Sequence, residues 1–206
     1  MASATANGRG ARLPRATILV VVAALVVAAS PQAGAALVYD RALILHGEWW
    51  RIVTGHWVHF SLSHLFWNLV VLVPAGAWVE RLAPHRTRVL FLLSPLVIGV
   101  VLFAADPALQ RYAGFSGVAA AVLALLALTQ LAAGHPDRWF WRTVLGMIAV
   151  KIAAELALGR PGFAHFSDTS IRPVPLAHLA GVACACAVHF RGRRRRQPTA
   201  TGGLPK

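Results

Sequence analysis

Long apolar runs alternate with short polar connections along most of this chain. A bilayer-spanning helix needs about 20 mostly apolar residues. Six stretches meet that requirement, namely 17–37, 62–80, 88–105, 116–133, 139–159 and 174–190. They predict an all-α membrane protein with a six-helix domain over residues 15–190. The polar ends, 1–14 and 191–206, show no periodicity, and we expect them to be disordered.

The composition supports the bilayer as the solvent. Of the 206 residues, 57% are hydrophobic and only 13% are charged. A soluble domain of this size carries charge on about a quarter of its residues.

The distribution of basic residues predicts the orientation. The net charge is +13, and with both termini in the cytoplasm the cytoplasmic segments hold fourteen of the twenty Lys and Arg residues, whereas the external loops hold five. This is the positive-inside bias, which predicts that both termini lie inside. The expected location is a bacterial inner membrane. We expect the basic tail to lie on anionic lipid; phosphate binding is the alternative, and no nucleic-acid partner is predicted.

The first apolar run has two interpretations. Arginines followed by residues 18–29 and "PQAGAA" are compatible with a cleaved secretory signal. The run continues to Leu37, however, which favours a retained span.

Polar side chains inside membrane helices are costly and are therefore functional candidates. Six stand out: His64, Asn68, Ser116, Lys151, Glu155 and His178. In the predicted topology, spans two, four and six all run inward. At 1.5 Å per residue, His64, Asn68, Ser116 and His178 then lie at similar depth near the external face.

Their chemistry suits nucleophilic catalysis. A serine needs a base, usually histidine, to become a nucleophile. The unpaired N–H groups where a helix begins at Ser116 are able to stabilise an oxyanion. Gly117 and Gly181 would let spans four and six approach closely and bring Ser116 to His178.

Each residue also has a simpler interpretation. Ser116 alone suits an N-cap, His64 and Asn68 alone suit interhelical hydrogen bonds, and His178 alone could pack against a loop carbonyl. Lys151 and Glu155, four residues apart, are expected to form a structural ion pair.

The motifs "WWRIVTGHWVHFSLSHLFWN" (49–68), "GFSG" (114–117) and "AHLAG" (177–181) together resemble the rhomboid intramembrane serine proteases. The resemblance implies Ser116 as nucleophile and His178 as general base. It implies an oxyanion hole of His64, Asn68 and the Ser116 backbone N–H. Gly114, Gly117 and Gly181 would support the helix packing. Rhomboids use a Ser–His dyad without a carboxylate, and no acid occurs near the site in spans two, four or six.

The lead-in "TGHWVH" and "VKIAAELALG" (150–159) look like the rhombosortase branch, which implies substrates with Gly-Gly-containing C-terminal sorting tails. One position departs from the family pattern: many rhomboids place a tyrosine four residues after the serine, where this chain has Ala120. The base must then be held in another way.

The resulting prediction is a serine endopeptidase that cleaves transmembrane substrates near the external face of the lipid bilayer, without a cofactor or metal. His56 and His59 with His64 raise a metal site as an alternative, although no carboxylate completes it. Phe163 and Phe166, in the loop 160–173, are placed to gate the site. The rival functions are a general rhomboid protease with other clients, a non-catalytic client-binding protein and a small proton-coupled transporter.

Overall fold

The computed structural model describes residues 13–158 and 174–194. The helices are α1 (Arg15–Ala28), α2 (Pro31–Leu37), α3 (Arg41–Leu45), α4 (Arg51–Thr54), α5 (Leu62–Leu82), α6 (Pro84–Ala105), α7 (Ser116–Ala132), α8 (Arg138–Leu158) and α9 (Pro175–Arg194). A 3₁₀ turn spans Gly55–Trp57, and two short strands are β1 (Tyr39–Asp40) and β2 (Arg111–Tyr112). The fold is thus essentially all-α, as predicted.

A helix lies at each of the six predicted apolar stretches. Of the described helices, α5 and α6 are individually long and apolar enough to cross a membrane, and α1 with α2 forms a third candidate that is bent by 111°. Large apolar side chains face outward, with Leu92 75% and Val150 69% exposed. Such exposed apolar surface is typical of contact with lipid. The protein is a membrane protein; six spans and cytoplasmic termini stay predictions.

The first stretch is broken, and the prediction of one continuous helix over 17–37 is wrong. Proline has no N–H for the helix ladder and disfavours helical backbone in the residue before it. Ser30 accordingly adopts φ −129° and ψ 106°, and its hydroxyl caps α2, with Pro31 at the first position. The chain therefore turns sharply into the segment that precedes α5.

A buried carboxylate fixes α1 to the rest of the bundle. Glu80, near the end of α5, accepts hydrogen bonds from the backbone N–H groups of Ala16 and Thr17, both at 2.9 Å, and from the Thr17 hydroxyl at 2.8 Å. These are orphan donors of the first turn of α1, where a negative charge is stabilised.

Helix α7 forms the centre of the bundle. It packs against α5, α6, α8 and α9. Its small side chains, including the fully buried Ala121, Ala124 and Ala127, let the neighbours approach.

Helices α7 and α9 approach each other backbone to backbone. A Cβ at Gly117 would lie 2.7 Å from the carbonyl oxygen of Ala177, and a Cβ at Gly181 would collide with the carbonyl oxygen of Gly117. Both glycines are thus required by contact between backbones, and the predicted role of Gly117 and Gly181 in helix packing has a physical basis here.

The α7–α9 contact predicts the effect of a single methyl group. Gly181→Ala should lower the free energy of unfolding by about 1–3 kcal/mol, because the obstructing atom is backbone and the helices must separate. Gly146→Ala is the matched control: its Cβ would meet nothing within 4 Å, and alanine favours a helix over glycine. Thermal unfolding in detergent should show a lower melting temperature for Gly181→Ala alone. Equal melting temperatures for Gly181→Ala and the wild type would contradict this close packing.

Candidate active site

Ser116 is the first residue of α7, and Phe115 occupies the N-cap position without a side-chain capping bond. The simpler interpretation of Ser116 as an N-cap is therefore wrong. The backbone N–H groups of the first helical turn have no intrahelical partner and lie at the positive end of the helix dipole. Ser116 thus combines a hydroxyl with adjacent unpaired donors.

The backbone at Gly114, two residues before Ser116, packs against the imidazole of His64. Its φ is +103°, and a Cβ there would lie 2.7 Å from His64 Nε2. Only glycine satisfies both the backbone angle and the lack of space. His64 is itself fixed at the start of α5, where its N–H bonds the Ser61 hydroxyl at 3.1 Å. The structure therefore places His64 beside the segment that leads into Ser116.

Tyr112, a residue outside the predicted site, lies close to the approach to the serine. Its hydroxyl donates to the Gly114 carbonyl oxygen at 2.8 Å. Burial raises the pKa of Tyr112, so the phenol stays protonated. The antiparallel pairing of Tyr112 with Tyr39 fixes its backbone, a long-range contact that no local motif announces.

Asn68 lies one turn beyond His64 on the same helix and is only 6% exposed. Its Nδ2 is buried and has no hydrogen-bond partner in the described part of the chain. Unsatisfied buried donors are rare and cost about 1–3 kcal/mol. Such a donor is suited to an oxygen that arrives only with a substrate.

His178 is the fourth residue of α9 and is 7% exposed. Its neighbour Ala177 contacts Gly117, the residue after Ser116, through the α7–α9 approach. Ser116, His178 and His64 are thus brought to one end of the bundle, although no hydrogen bond joins Ser116 to His178 among the described residues.

A carboxylate accompanies the histidine, and the expectation that none would do so is wrong. His178 Nδ1 lies 2.7 Å from Glu155 Oε2. Lys151 Nζ donates to Glu155 Oε1 at 2.6 Å, so the predicted ion pair forms as well.

Glu155 is three residues before the end of α8, and His178 is three residues after the start of α9. At 1.5 Å per residue, each lies about 4.5 Å from its helix end. The depth of Glu155 also follows from the sequence, because span five is predicted to end at residue 159.

His56 and His59 contact other parts of the protein and do not form a metal site among the described residues. His56 Nε2 lies 2.9 Å from the Pro95 carbonyl oxygen. The His59 ring packs edge-on against Phe115, with ring centres 4.7 Å apart. Burial lowers the pKa of His56 to about 4 and that of His59 to about 3, so both are neutral at pH 7. Across residues 13–158 and 174–194, no group of three metal-ligating side chains is placed to hold an ion.

Two further predictions concern the surroundings of the base. The proposed gate, residues 160–173 with Phe163 and Phe166, lies outside the described residues. Ala120 is half-buried in α7, and the contact that holds His178 comes from Glu155 on α8 instead.

Comparison with known proteins identifies a family. The family model "Rhomboid domain" matches residues 46–195. "Inactive RHOMBOID-like protein 8" of Arabidopsis thaliana is 37% identical over 91 residues, covering 42% of this chain and 26% of that protein. "Rhomboid protease GluP" of Bacillus subtilis (strain 168) is 30% identical over 121 residues, covering 58% of this chain and 23% of that protein. The chain thus spans about a quarter of the length of these curated relatives.

The family match extends over most of the chain and includes the segments that carry His64, Asn68, Ser116 and His178. The central short helix that begins at the serine and the close contact of that helix with α9 are built from residues inside the matched region. This chain therefore belongs to the rhomboid family.

Proposed function

We propose that this protein is an intramembrane serine endopeptidase of a bacterial inner membrane, with Ser116 as nucleophile and His178 as general base. The observation that carries the proposal is the backbone contact between α7 and α9. Through this contact, the first turn of α7, which contains Ser116, lies alongside the first turn of α9, which contains His178. The backbone N–H groups in the first turn of α7 have no intrahelical partner. Family membership supports the same reaction, because one relative is named as a rhomboid protease.

The proposed reaction begins when the span of a membrane-anchored substrate enters and unwinds, because a helical peptide bond is shielded by its own hydrogen bonds. The Ser116 hydroxyl turns toward His178. Its oxygen bonds to the carbonyl carbon, its proton moves to His178 Nε2, and the carbonyl electron pair moves onto oxygen. The C–N bond then breaks as the amine takes the proton from His178. Water releases the acyl group by the same steps in reverse order.

The negative oxygen of the intermediate would be held by the Ser116 backbone N–H, Asn68 and His64. Support comes from the buried Nδ2 of Asn68, which has no hydrogen-bond partner among the described residues, and from the helix start at Ser116. Preorganised donors of this kind stabilise charge that develops only in the transition state. The metal alternative offers no comparable arrangement among the described residues.

A second candidate function is non-catalytic binding of membrane clients. It is favoured by the similarity to a relative named as inactive. Serine and histidine are both present here, which favours catalysis. The proton-transporter alternative has less support, because Lys151 and Glu155 pair with each other and with His178 in one cluster.

Reactivity of Ser116 distinguishes these functions. A fluorophosphonate probe should label the wild-type protein in mild detergent, and Ser116→Ala should abolish labelling without unfolding. Asn68→Ala should slow turnover by about a hundredfold to a thousandfold, the range for one oxyanion donor. Ser63→Ala, at an exposed serine of α5, is the control and should label normally. Equal labelling of wild type and Ser116→Ala would exclude the nucleophile and leave the client-binding function.

We further propose that the substrates are exported proteins with a Gly-rich stretch, one apolar span and a few arginines at the C-terminus. The resemblance to rhombosortases motivates this proposal. Arginines that remain in the cytoplasm would set the external end of the substrate span near the predicted depth of Ser116. Glycine leaves a helix more easily than alanine, by about 1 kcal/mol per residue. It also presents no side chain to a site bordered by His64 and Asn68.

A reporter with such a tail tests the substrate. Co-expression with the wild-type protein should release the reporter from the membrane, and co-expression with Ser116→Ala should not. Replacement of the Gly pair by Leu-Leu should block release, because the helix is harder to open and the side chains are larger. If Leu-Leu and Gly-Gly tails are cleaved equally fast, a general rhomboid protease with other clients is the better assignment.

A further inference from the structure

The contact between His178 and Glu155 exceeds what a Ser–His dyad requires. Glu155 is 5% exposed and His178 is 7% exposed. Their side chains come from different helices and meet at 2.7 Å. A buried carboxylate needs partners that offset its lost hydration, and the imidazole is one of the two hydrogen-bonding side chains that Glu155 has among the described residues.

The hydrogen bond determines which ring nitrogen carries the proton. An ionised carboxylate only accepts, so Nδ1 of His178 must donate to Glu155. In the neutral imidazole, Nε2 then has the free electron pair that a general base uses. The same division of roles occurs in the soluble serine proteases, where a buried aspartate holds the histidine in this tautomer.

Lys151 completes the charge balance. Its ammonium donates to the other oxygen of Glu155 at 2.6 Å and is 35% exposed at the side chain. It also lies 3.3 Å from Nδ1 and 3.4 Å from Nε2 of His178, both longer contacts. Because an ammonium cannot accept a hydrogen bond, Glu155 is the group in this cluster able to accept the Nδ1 proton.

The geometry points to Glu155 as a positioning residue that makes the catalytic group a Ser116–His178–Glu155 triad. This inference rests on the proposed function and adds a third residue to it. When Ser116 transfers its proton to Nε2, the imidazolium keeps its Nδ1–H bond to Glu155, which stays ionised and offsets the new positive charge. Glu155 thus holds the base His178 in place, which the small side chain of Ala120 cannot do.

The tautomer is directly measurable. Nitrogen NMR of ¹⁵N-histidine-labelled wild-type protein in detergent, with the His178 signals assigned by their loss in His178→Ala, should show Nδ1 protonated and Nε2 unprotonated. In Glu155→Gln, Lys151 attracts the amide oxygen and turns the NH₂ toward Nδ1, so the proton should move to Nε2. Nε2 protonation in the wild type would overturn the inference, even if no variant folds.

The rate of fluorophosphonate labelling tests whether Glu155 increases the reactivity of Ser116. Glu155→Gln should slow labelling of Ser116 by about a hundredfold or more, as loss of the tautomer-fixing carboxylate does in a soluble triad. Glu155→Asp retains a carboxylate and should label faster than Glu155→Gln. Wild-type rates in a folded Glu155→Gln protein would refute the positioning role.

A double variant separates positioning from charge neutralisation. Lys151→Met with Glu155→Leu replaces the ion pair by apolar side chains, an exchange that buried pairs often tolerate without loss of stability. If Glu155 only neutralised Lys151, this variant would label at the wild-type rate. We expect a wild-type melting temperature with slow labelling. Loss of label in Ser116→Ala, combined with normal rates in both Glu155 variants, would leave the protease assignment intact and remove only the triad.

Discussion

The site depends on how closely two helices approach each other. The backbones of α7 and α9 touch where Gly117 faces Ala177 and Gly181. In a bilayer, lipid tails are as apolar as leucine, so helices associate through close packing and not through burial of apolar surface. Small residues therefore both stabilise the helix bundle and determine where the candidate site residues lie. The same contact determines the separation of Ser116 and His178, which means that packing and the proposed chemistry share one constraint.

The polar groups of the site are arranged so that most of them constrain one another before any substrate arrives. Tyr112 holds the Gly114 carbonyl, and Glu155 holds His178. Asn68 is the exception, with a buried donor that has no partner among the described residues. An unsatisfied donor destabilises the resting protein, but the cost is recovered when an oxyanion accepts its hydrogen bond. This difference between resting and reacting states is what transition-state stabilisation requires.

Hydrophobic periodicity was sufficient to predict a helix at each of the six apolar stretches, because length and apolarity are local properties. It did not predict the break at Ser30–Pro31, where one proline outweighs an otherwise continuous apolar run. The four candidate site residues on α5, α7 and α9 were singled out by their predicted depth. Glu155 was missed as a partner of His178, because its spacing from Lys151 offered a sufficient local explanation. Pairing between helices depends on rotation about the helix axis, and no sequence spacing within one helix specifies that rotation.

The contrast between Glu155 and Glu80 shows what a buried carboxylate does in this fold. Glu80 accepts three hydrogen bonds from the start of α1, two from backbone donors, so its role is complete within the resting structure. Glu155 instead bonds two ionisable side chains, and one of them, His178, would change its charge during the proposed reaction. A carboxylate beside a group that gains a proton interacts more strongly with the product of that transfer than with the starting state. On this physical ground, Glu80 belongs to the folding of the bundle, whereas Glu155 would serve the proposed reaction at Ser116.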